Sequence, residues 1–516
     1  PLCPPLAKTL EHVRESPLGG EAYRYRLKLR EATYEGDYEA IAELEQFHYA
    51  SEKEVVALWV CTQCQKTIPA NAKPLCDCGG EARLKEIRGS TPASRFLVLE
   101  LAERLPFEPR ILGYLRLDPP IPRMHRRTPE GVERDIRERI FPRDWFHPTY
   151  EGGADWQKAL DRVNTAAARI ARVVVHPDYR SEGFGALLVR VALEWAKERG
   201  APEARREKHL VYTIAQMARY HPFFEKVGFR YLFDTASGRP VLFYPLTEEA
   251  EAHLERFLRE DPYAKAHGGR LYKPRFGRVP GLPGPIRLAG VHKAYRSHLD
   301  LEGLSREVQE ALLAFGVKAR VVERAVLRGA SLEIPPGSLV VLAGASGAGK
   351  TTLLRLLLGE APDAGEVAVP PGRRVAYIPG EREVDLGEAP ILEAVYRRLK
   401  DVGAAIEVLN RVGLSDAVLY RARPHELSTG QRERFRLALL LAERPDLLLI
   451  DEFAAHLDVP TARRVALGLG KLCREAGVTL VAATHRPEVV AALDPDLLVY
   501  VGYGGLTTVP RRGPRT

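Results

Sequence analysis

The chain has 516 residues, too many for one ordinary domain, and its 45% hydrophobic and 28% charged residues suit a globular protein rather than a disordered or fibrous one. No apolar run reaches the length of about 18 residues that a membrane-spanning helix needs. The start, Pro1-Leu2-Cys3-Pro4-Pro5, lacks the basic and apolar regions of a signal peptide, so the expected compartment is the cytoplasm. A net charge of +8 is compatible with a nucleic-acid partner held through its phosphates, and equally with a solvated surface rich in Arg and Glu. Only 2 Met beside abundant Arg, Glu and Pro leans towards a thermophile.

In chain order, a first segment of about 20–248 alternates β-rich runs with helices. The runs are 23–29, 96–101, 111–117, 170–175, 210–214 and 241–246, and helical periodicity is clearest over 38–47 and 184–199. A second segment, 249–285, begins helically (248–260) and ends in Gly277-Arg278-Val279-Pro280-Gly281-Leu282-Pro283-Gly284-Pro285. That cluster can continue neither a helix nor a central strand, so it reads as a domain linker. A third segment, 286–510, alternates strands and helices again, and 510–516 reads as a basic tail.

Four of the six cysteines fall in an insertion of about 55–90, as Cys61-x-x-Cys64 and Cys76-x-Cys78. Four thiolates on two tight turns can supply tetrahedral zinc ligation, and Gly79-Gly80 suits a sharp exit turn. With four ligands no coordination position stays open, so the site would be structural. Free thiols and an iron–sulfur cluster stay as alternatives.

Within 119–148, Arg123, Arg126, Arg127, Arg134, Arg137, Arg139 and Arg143 alternate with Phe141, Trp145 and Phe146. Such interleaving suits phosphate contact with base stacking, or a solvated loop and helix.

After the run 170–175 comes Arg180-Ser181-Glu182-Gly183-Phe184-Gly185, an R-x-x-G-x-G turn that opens a helix. Glycines there let backbone N–H groups at the helix start approach a pyrophosphate. Some forty residues on stands Phe223-Phe224-Glu225-Lys226-Val227-Gly228-Phe229. Together these resemble the GNAT acetyltransferase family over about 22–247. The resemblance implies a mixed α/β acyltransferase fold with acetyl-CoA as donor. The residues it places at the donor are Val173, Val175, Arg180, Ser181, Glu182, Gly183, Phe184, Gly185 and Ala186. The family often uses a Tyr one residue into the Phe-Phe pair to protonate the leaving thiolate, but Phe224 has no proton to give. Tyr220 and His221 are the expected substitutes, with His176 and Glu182 as further candidates, and a domain that binds without catalysing is the alternative.

In the third segment an apolar run ends at Leu342-Ala343 and is followed by Gly344-Ala345-Ser346-Gly347-Ala348-Gly349-Lys350-Thr351-Thr352 and an apolar helix. This is G-x-x-x-x-G-K-[ST] in its strand–loop–helix context, where Lys350 reaches the β- and γ-phosphates and Thr351 holds Mg²⁺. Leu427-Ser428-Thr429-Gly430-Gln431 then precedes the buried run Leu447–Ile450 and Asp451-Glu452, followed by Ala455-His456-Leu457-Asp458 and Thr484-His485. Order and spacing resemble the ABC ATPase family over about 286–505. The resemblance implies Asp451 on Mg²⁺, Glu452 as general base, His485 as switch histidine and Tyr295 stacked on adenine. It further implies that Ser428 and Gly430 complete the site of a second chain, which makes an ATP-dependent homodimer, and it counts Gln431 and Asp458 among the nucleotide-binding residues. Two departures stand out: Thr429 where the signature usually has glycine, and Gly380 where a glutamine usually follows the strand 375–379. The stretch 296–320 reads as a helical insertion.

The expected fold class is therefore α/β, a GNAT-like acyltransferase domain (20–248) with a zinc-binding insertion, joined by 249–285 to an ABC-type P-loop ATPase domain (286–510). The expected function is an ATPase coupled to acetyl-CoA-dependent N-acetylation of a macromolecule, with nucleic acid favoured. The alternatives are an ATP-switched clamp on nucleic acid or ribosomes, and a protein or small-amine acetyltransferase gated by ATP.

Overall fold

The computed structural model describes residues 4–15, 21–45, 57–106, 108–147, 164–179, 182–299, 301–317, 320–380, 385–502 and 504–511. They fall into two units, a first that ends at Lys273 and a second that begins at Pro274. None of their helices is long and apolar enough to cross a membrane.

The first unit carries β1 (Ala7–Glu15), β2 (Glu21–Glu31), β3 (Ala57–Cys61), β4 (Thr67–Ala70), β5 (Ala82–Ile87), β6 (Arg95–Leu101) and β7 (Gly113–Asp118). It continues with β8 (Arg126–Thr128), β9 (Gly131–Glu133), β10 (Ala167–Val175), β11 (Leu210–Ile214), β12 (Arg230–Asp234) and β13 (Pro240–Pro245). Eight of these form one sheet in the order β1-β2-β6-β7-β10-β11-β13-β12. Every neighbouring pair is antiparallel except β10 and β11, which run parallel. A parallel pair needs a crossover, and the helix Phe184–Arg199 supplies it. Its apolar face buries Leu188, Val189, Ala192 and Trp195 against Leu115 and Leu117 of β7 and Ala168 and Ile170 of β10. Gly200, with φ +60°, closes that helix in the left-handed region. The opposite face of the sheet presents Phe96, Val98, Tyr114 and Val174 to the helix Glu35–Glu45.

The first unit exceeds the expected bounds of 20–248 at both ends. β1 pairs with β2 along its whole length. The helices Glu248–Glu260 and Pro262–His267 bury Ala250, Leu254, Phe257 and Ala264 in a core shared with β11 and β13, so they belong to this unit rather than to a connector. The three-stranded sheet β4-β3-β5 forms the cysteine insertion. Phe141, Trp145 and Phe146 lie in the same core as those helices and are 1–3% exposed, which removes them as base-stacking platforms. Arg126 and Arg137 are buried with them, whereas Arg139 and Arg143 pair with Glu133 and Glu138.

The second unit carries β14 (Ile286–Leu299), β15 (Arg320–Ile334), β16 (Leu339–Ala343), β17 (Ala364–Ala368), β18 (Val375–Ile378), β19 (Leu447–Ile450), β20 (Thr479–Ala483), β21 (Leu497–Gly502) and β22 (Gly505–Pro510). Six form a sheet in the order β18-β19-β20-β16-β21-β22, parallel but for the edge strand β22. Strands covered on both faces read as unbroken apolar runs, and all four residues of β19 are buried. β15, β14 and β17 make a separate antiparallel sheet. The expected helical insertion at 296–320 is shorter than anticipated: β14 and β15 run into it, and among its described residues only Arg306–Ala314 is helical.

The proline- and glycine-rich segment is fastened along the second unit. The buried Glu407 carboxylate accepts the N–H groups of Arg275 and Phe276 at 2.7 and 3.0 Å, and Asp446 accepts that of Gly281 at 3.0 Å. The Arg444 guanidinium lies 5.0 Å from the Phe276 ring and donates to Arg278 O.

Candidate nucleotide, acyl-donor and metal sites

In the second unit the buried strand β16 delivers the chain to the loop 344–349, and the helix Lys350–Leu357 follows. Gly344 (φ +147°) and Gly349 (φ +109°) hold backbone conformations closed to larger residues. A Cβ on Gly344 would stand 2.2 Å from Val501 O, and one on Gly349 would stand 2.4 Å from the Val326 side chain. Lys350 Nζ donates to Gly344 O and Ala345 O, both at 2.9 Å, so the ammonium already sits over the loop whose N–H groups are to receive phosphate. Thr351 Oγ1 donates to Asp451 Oδ2 at 2.7 Å. A hydroxyl and a carboxylate brought that close are the hard oxygen donors a magnesium ion takes.

Glu452 follows Asp451 in the left-handed region (φ +49°), its N–H donating to Asp451 Oδ1 at 3.1 Å. Its side chain leans over Gly380, where Cγ, Cδ and Oε2 all stand 3.1 Å from the place a Cβ would take. The glutamine missing at 380 thus leaves a gap that Glu452 fills. Thr484 follows β20 with its hydroxyl on Phe453 O at 3.2 Å, and His485 after it is exposed. Asp458 caps the helix Val459–Ala476 by accepting the Thr461 N–H at 2.9 Å. Ser428 caps the helix Thr429–Ala442: its Oγ accepts the Gln431 N–H at 3.3 Å, while Gln431 Oε1 accepts the Ser428 N–H at 2.9 Å. Gly430 packs under Leu457, where a Cβ would approach to 3.1 Å.

Tyr295 on β14 is half-buried, with its hydroxyl 3.4 Å from Glu360 Oε1. Its register partner on β15 is Arg324, whose Nη2 donates to Gly347 O in the phosphate loop at 2.8 Å. Sequence reasoning passed over Arg324, because only the hairpin register brings it beside the loop.

In the first unit the decisive feature is where β10 and β11 stop pairing. They are joined from Ala167↔Leu210 to Ile170↔Thr213, yet β10 runs on to Val175. At the parting point Thr213 Oγ1 donates to Ile170 O at 3.1 Å, and a bulge interrupts β10 at Ala171. Val173 and Val175 beyond it turn their side chains towards the core under the helix Phe184–Arg199. Gly183 (φ +88°) begins that helix, and Phe223 packs so close to Gly185 that a Cβ there would stand 3.0 Å from its ring. The loop is held from below by a strand outside the motif: His12 Nε2 of β1 lies 2.7 Å from Glu182 O, and the His12 ring meets Phe184 edge-on at 5.3 Å. Phe184 is itself a buried core residue and Ala186 lies half-buried in the helix's first turn. Arg180 and Ser181 lie outside the described residues.

Tyr220 and His221 follow β11 at the end of a short 3-10 turn. Burial, with Lys226 nearby, pushes the His221 imidazole down to about 4, so it stays uncharged at neutral pH and cannot donate a second proton. Phe224 packs edge-on against Phe223 and Phe229, at 4.8 and 5.2 Å, as a wall residue.

The four cysteines come together as the spacing predicts. All four Sγ atoms lie within 4.8 Å of one another, with Cys61–Cys78 at 3.4 Å and Cys64–Cys76 at 3.5 Å. A tetrahedral zinc thiolate site has sulfurs about 3.8 Å apart, so the donor set fits a metal. A Cβ on Gly80 would reach to 2.6 Å from Cys61 Sγ, which explains the glycine after the second pair.

The family model described as ABC transporter matches residues 327–455, and that described as acetyltransferase (GNAT) domain matches 151–231. The zinc import ATP-binding protein ZnuC of Ruegeria pomeroyi is 34% identical over 198 residues, covering 37% of this chain and 75% of that protein. The lipoprotein-releasing system ATP-binding protein LolD 1 of Rhodospirillum rubrum is 35% identical over 193 residues, covering 33% of this chain and 84% of that protein. The methionine import ATP-binding protein MetN of Mesorhizobium japonicum is 34% identical over 209 residues, covering 36% of this chain and 56% of that protein. The chain thus spans little more than half the length of MetN. It belongs to the ABC family of ATP-binding proteins, and it joins that family's nucleotide-binding domain to a GNAT acetyltransferase domain.

Proposed function

We propose that the chain hydrolyses ATP in its second unit and uses acetyl-CoA in its first, as an N-acetyltransferase coupled to an ABC ATPase. The observation that carries the acyltransferase half is the parting of β10 from β11 beside the glycine loop at a helix start. An open strand edge can pair with the amides of a pantetheine arm, and the helix N-terminus favours a pyrophosphate. In the second unit Lys350 and the loop N–H groups hold the phosphates, Thr351 and Asp451 hold magnesium, and Tyr295 stacks on the adenine. Glu452 orients the attacking water and takes its proton, with His485 on the γ-phosphate side. The bound metal supplies charge neutralisation on the phosphates. Ser428 and Gly430 complete the site of a second copy, so hydrolysis requires a homodimer.

The acceptor is an amine. Nucleic acid as its bearer rests on the net charge of +8 alone, because the aromatic side chains expected to stack on bases are buried. Radiolabel transferred from acetyl-CoA into RNA or DNA, into protein, or into small amines separates the three acceptor classes.

The deciding test is acetyl-CoA binding by calorimetry, with and without ATP, on the wild type and on Gly183→Trp. Binding in the wild type, its loss in the variant and an ATP-dependent change in affinity are expected. By linkage, acetyl-CoA then changes ATP affinity by the same factor. No binding by the wild type in either state removes the acyltransferase reading. An ATP-switched clamp whose GNAT domain only scaffolds then takes its place, the reading that the protonless Phe224 favours.

A further inference from the structure

One face of the eight-stranded sheet carries charge where apolar side chains are the rule. The register sets Arg172 on β10 directly opposite Arg116 on β7, and Arg169 opposite Asp118. Two cations directly opposite each other weaken a sheet, and burial makes the pairing worse: Arg116 is 6% exposed and Asp118 1%. These side chains share the face of Tyr114 and Val174, the face covered by the helix Glu35–Glu45. Glu45 on that helix is 4% exposed, and its Oε1 accepts from Arg172 Nε at 3.1 Å. Arg169 Nη2 donates to Asp118 Oδ2 at 2.7 Å and Arg116 Nη1 to Arg88 O at 3.3 Å. Arg116 Nε lies 3.2 Å from Asp118 Oδ1 but without the alignment of a hydrogen bond.

The cluster does not satisfy itself. Three guanidiniums face two carboxylates, and Glu45 Oε2 and Arg169 Nε are buried with no hydrogen-bond partner among the described residues. Buried polar atoms in native proteins are nearly always met by something. An unmet carboxylate oxygen on Glu45 asks for a cationic donor and an unmet guanidinium N–H on Arg169 asks for an anion, with Arg172 bonded to the same Glu45, a demand suited to a ligand that carries both an ammonium and an anion. The place also has a meaning: Arg172 stands two residues past the last β10–β11 pair, at the bulge where the strands part.

We propose that Glu45, Arg169 and Arg172 form the acceptor subsite of the acetyltransferase, for a primary alkylamine that carries a carboxylate or phosphate. The inference rests on the acyltransferase reading above and narrows its acceptor. The guanidiniums of Arg169 and Arg172 hold the anionic group. Glu45 takes one proton from the ammonium, and the free amine attacks the thioester carbonyl. The C–N bond forms as the C–S bond breaks, and the second nitrogen proton ends on the coenzyme A thiolate. Burial raises the Glu45 carboxyl above its ordinary value against the pull of Arg172, which makes it the stronger proton acceptor.

The test measures thiol release from acetyl-CoA by the full chain with ATP and magnesium, using ethanolamine, O-phosphoethanolamine, β-alanine and hydroxylamine as acceptors. One of the two anionic amines is expected to react at least about tenfold faster than ethanolamine. A lead by O-phosphoethanolamine assigns the phosphate, and a lead by β-alanine the carboxylate. Arg172→Gln erases that preference while calorimetric affinity for acetyl-CoA holds. Glu45→Gln slows the alkylamines about a hundredfold relative to hydroxylamine, which is uncharged at neutral pH and needs no base. Should Glu45→Gln fail to fold, Arg172→Gln still decides. Equal rates for the three alkylamines in the wild type, or an unchanged preference in Arg172→Gln, overturn the inference alone. A wild type that binds no acetyl-CoA overturns the acyltransferase reading, and this inference with it.

Discussion

Replacing Gly380 by alanine is the smallest change that reaches Glu452 without touching the phosphate loop. The new Cβ would stand 3.1 Å from Cγ, Cδ and Oε2 of Glu452, a few tenths of an ångström inside ordinary contact. The Glu452 backbone cannot give way, because its N–H is bound to Asp451 and its φ is fixed at +49°. The side chain must therefore turn aside. For the exposed end of a glutamate that costs about 1 kcal/mol or less in stability. For a group that must orient a water, a displacement approaching 1 Å is worth roughly a hundredfold in rate. We expect kcat for ATP hydrolysis, followed as phosphate release by the full chain, to fall between about tenfold and a hundredfold. KM for ATP should stay within about twofold, since the phosphate loop and Tyr295 are untouched. A kcat within about twofold of the wild type would refute the reasoning: Glu452 would then owe nothing to the space over Gly380. Gly380→Gln is the companion test. If it raised kcat, the missing carboxamide rather than the placement of Glu452 would be what limits hydrolysis.

His221 gives a pH signature. Its folded value of about 4 lies below the ordinary 6.5, so between those limits the unfolded chain holds the proton more tightly. Stability is therefore lost as pH falls through that window, by about 3 kcal/mol when complete. His221→Gln should lack that acid-side loss in urea melts of the first unit; parallel pH profiles would mean that the imidazole is solvated. Elemental analysis should find one zinc per chain, and Cys64→Ser or prolonged chelation should remove it and loosen the β4-β3-β5 sheet with ATP affinity unchanged. Full metal retention in both Cys64→Ser and Cys78→Ser would place the metal elsewhere. Light scattering of Glu452→Gln with ATP should show a doubled mass; a monomer at every ATP concentration would end the homodimer proposal.

Motifs that are continuous in sequence were legible because their chemistry needs neighbours in the chain. The phosphate loop, the Asp451-Glu452 strand end, the signature turn and the paired cysteines all sit where spacing puts them. The helix Phe184–Arg199 is equally plain from its periodicity. What stayed hidden depends on contacts across long stretches of chain. β1 alternates Lys8, Leu10 and His12 with Thr9, Glu11 and Val13, which reads as polar until β2 is known to lie beside it. Trp145 and Phe146 looked available among arginines, yet Arg137 is itself buried, its guanidinium 4.1 Å from the Phe146 ring. Arg324 reaches the phosphate loop, and Glu45 meets Arg172, only through pairing registers and helix placement that no local pattern encodes.

The signature helix begins with a cap it makes for itself. Ser428 spends an acceptor lone pair on the Gln431 N–H and has its own N–H covered by the Gln431 side chain. What the hydroxyl still has to offer is its proton and one further lone pair. In the homodimer proposed above, a phosphate oxygen of the other chain asks for a donor, and the cap has already engaged one of the two acceptor positions that would compete with that proton. Gln431 then acts at one remove, as the residue that keeps Ser428 from turning its lone pairs outward. Exchanging it for a residue that cannot complete the cap would leave the serine in place and its direction unset.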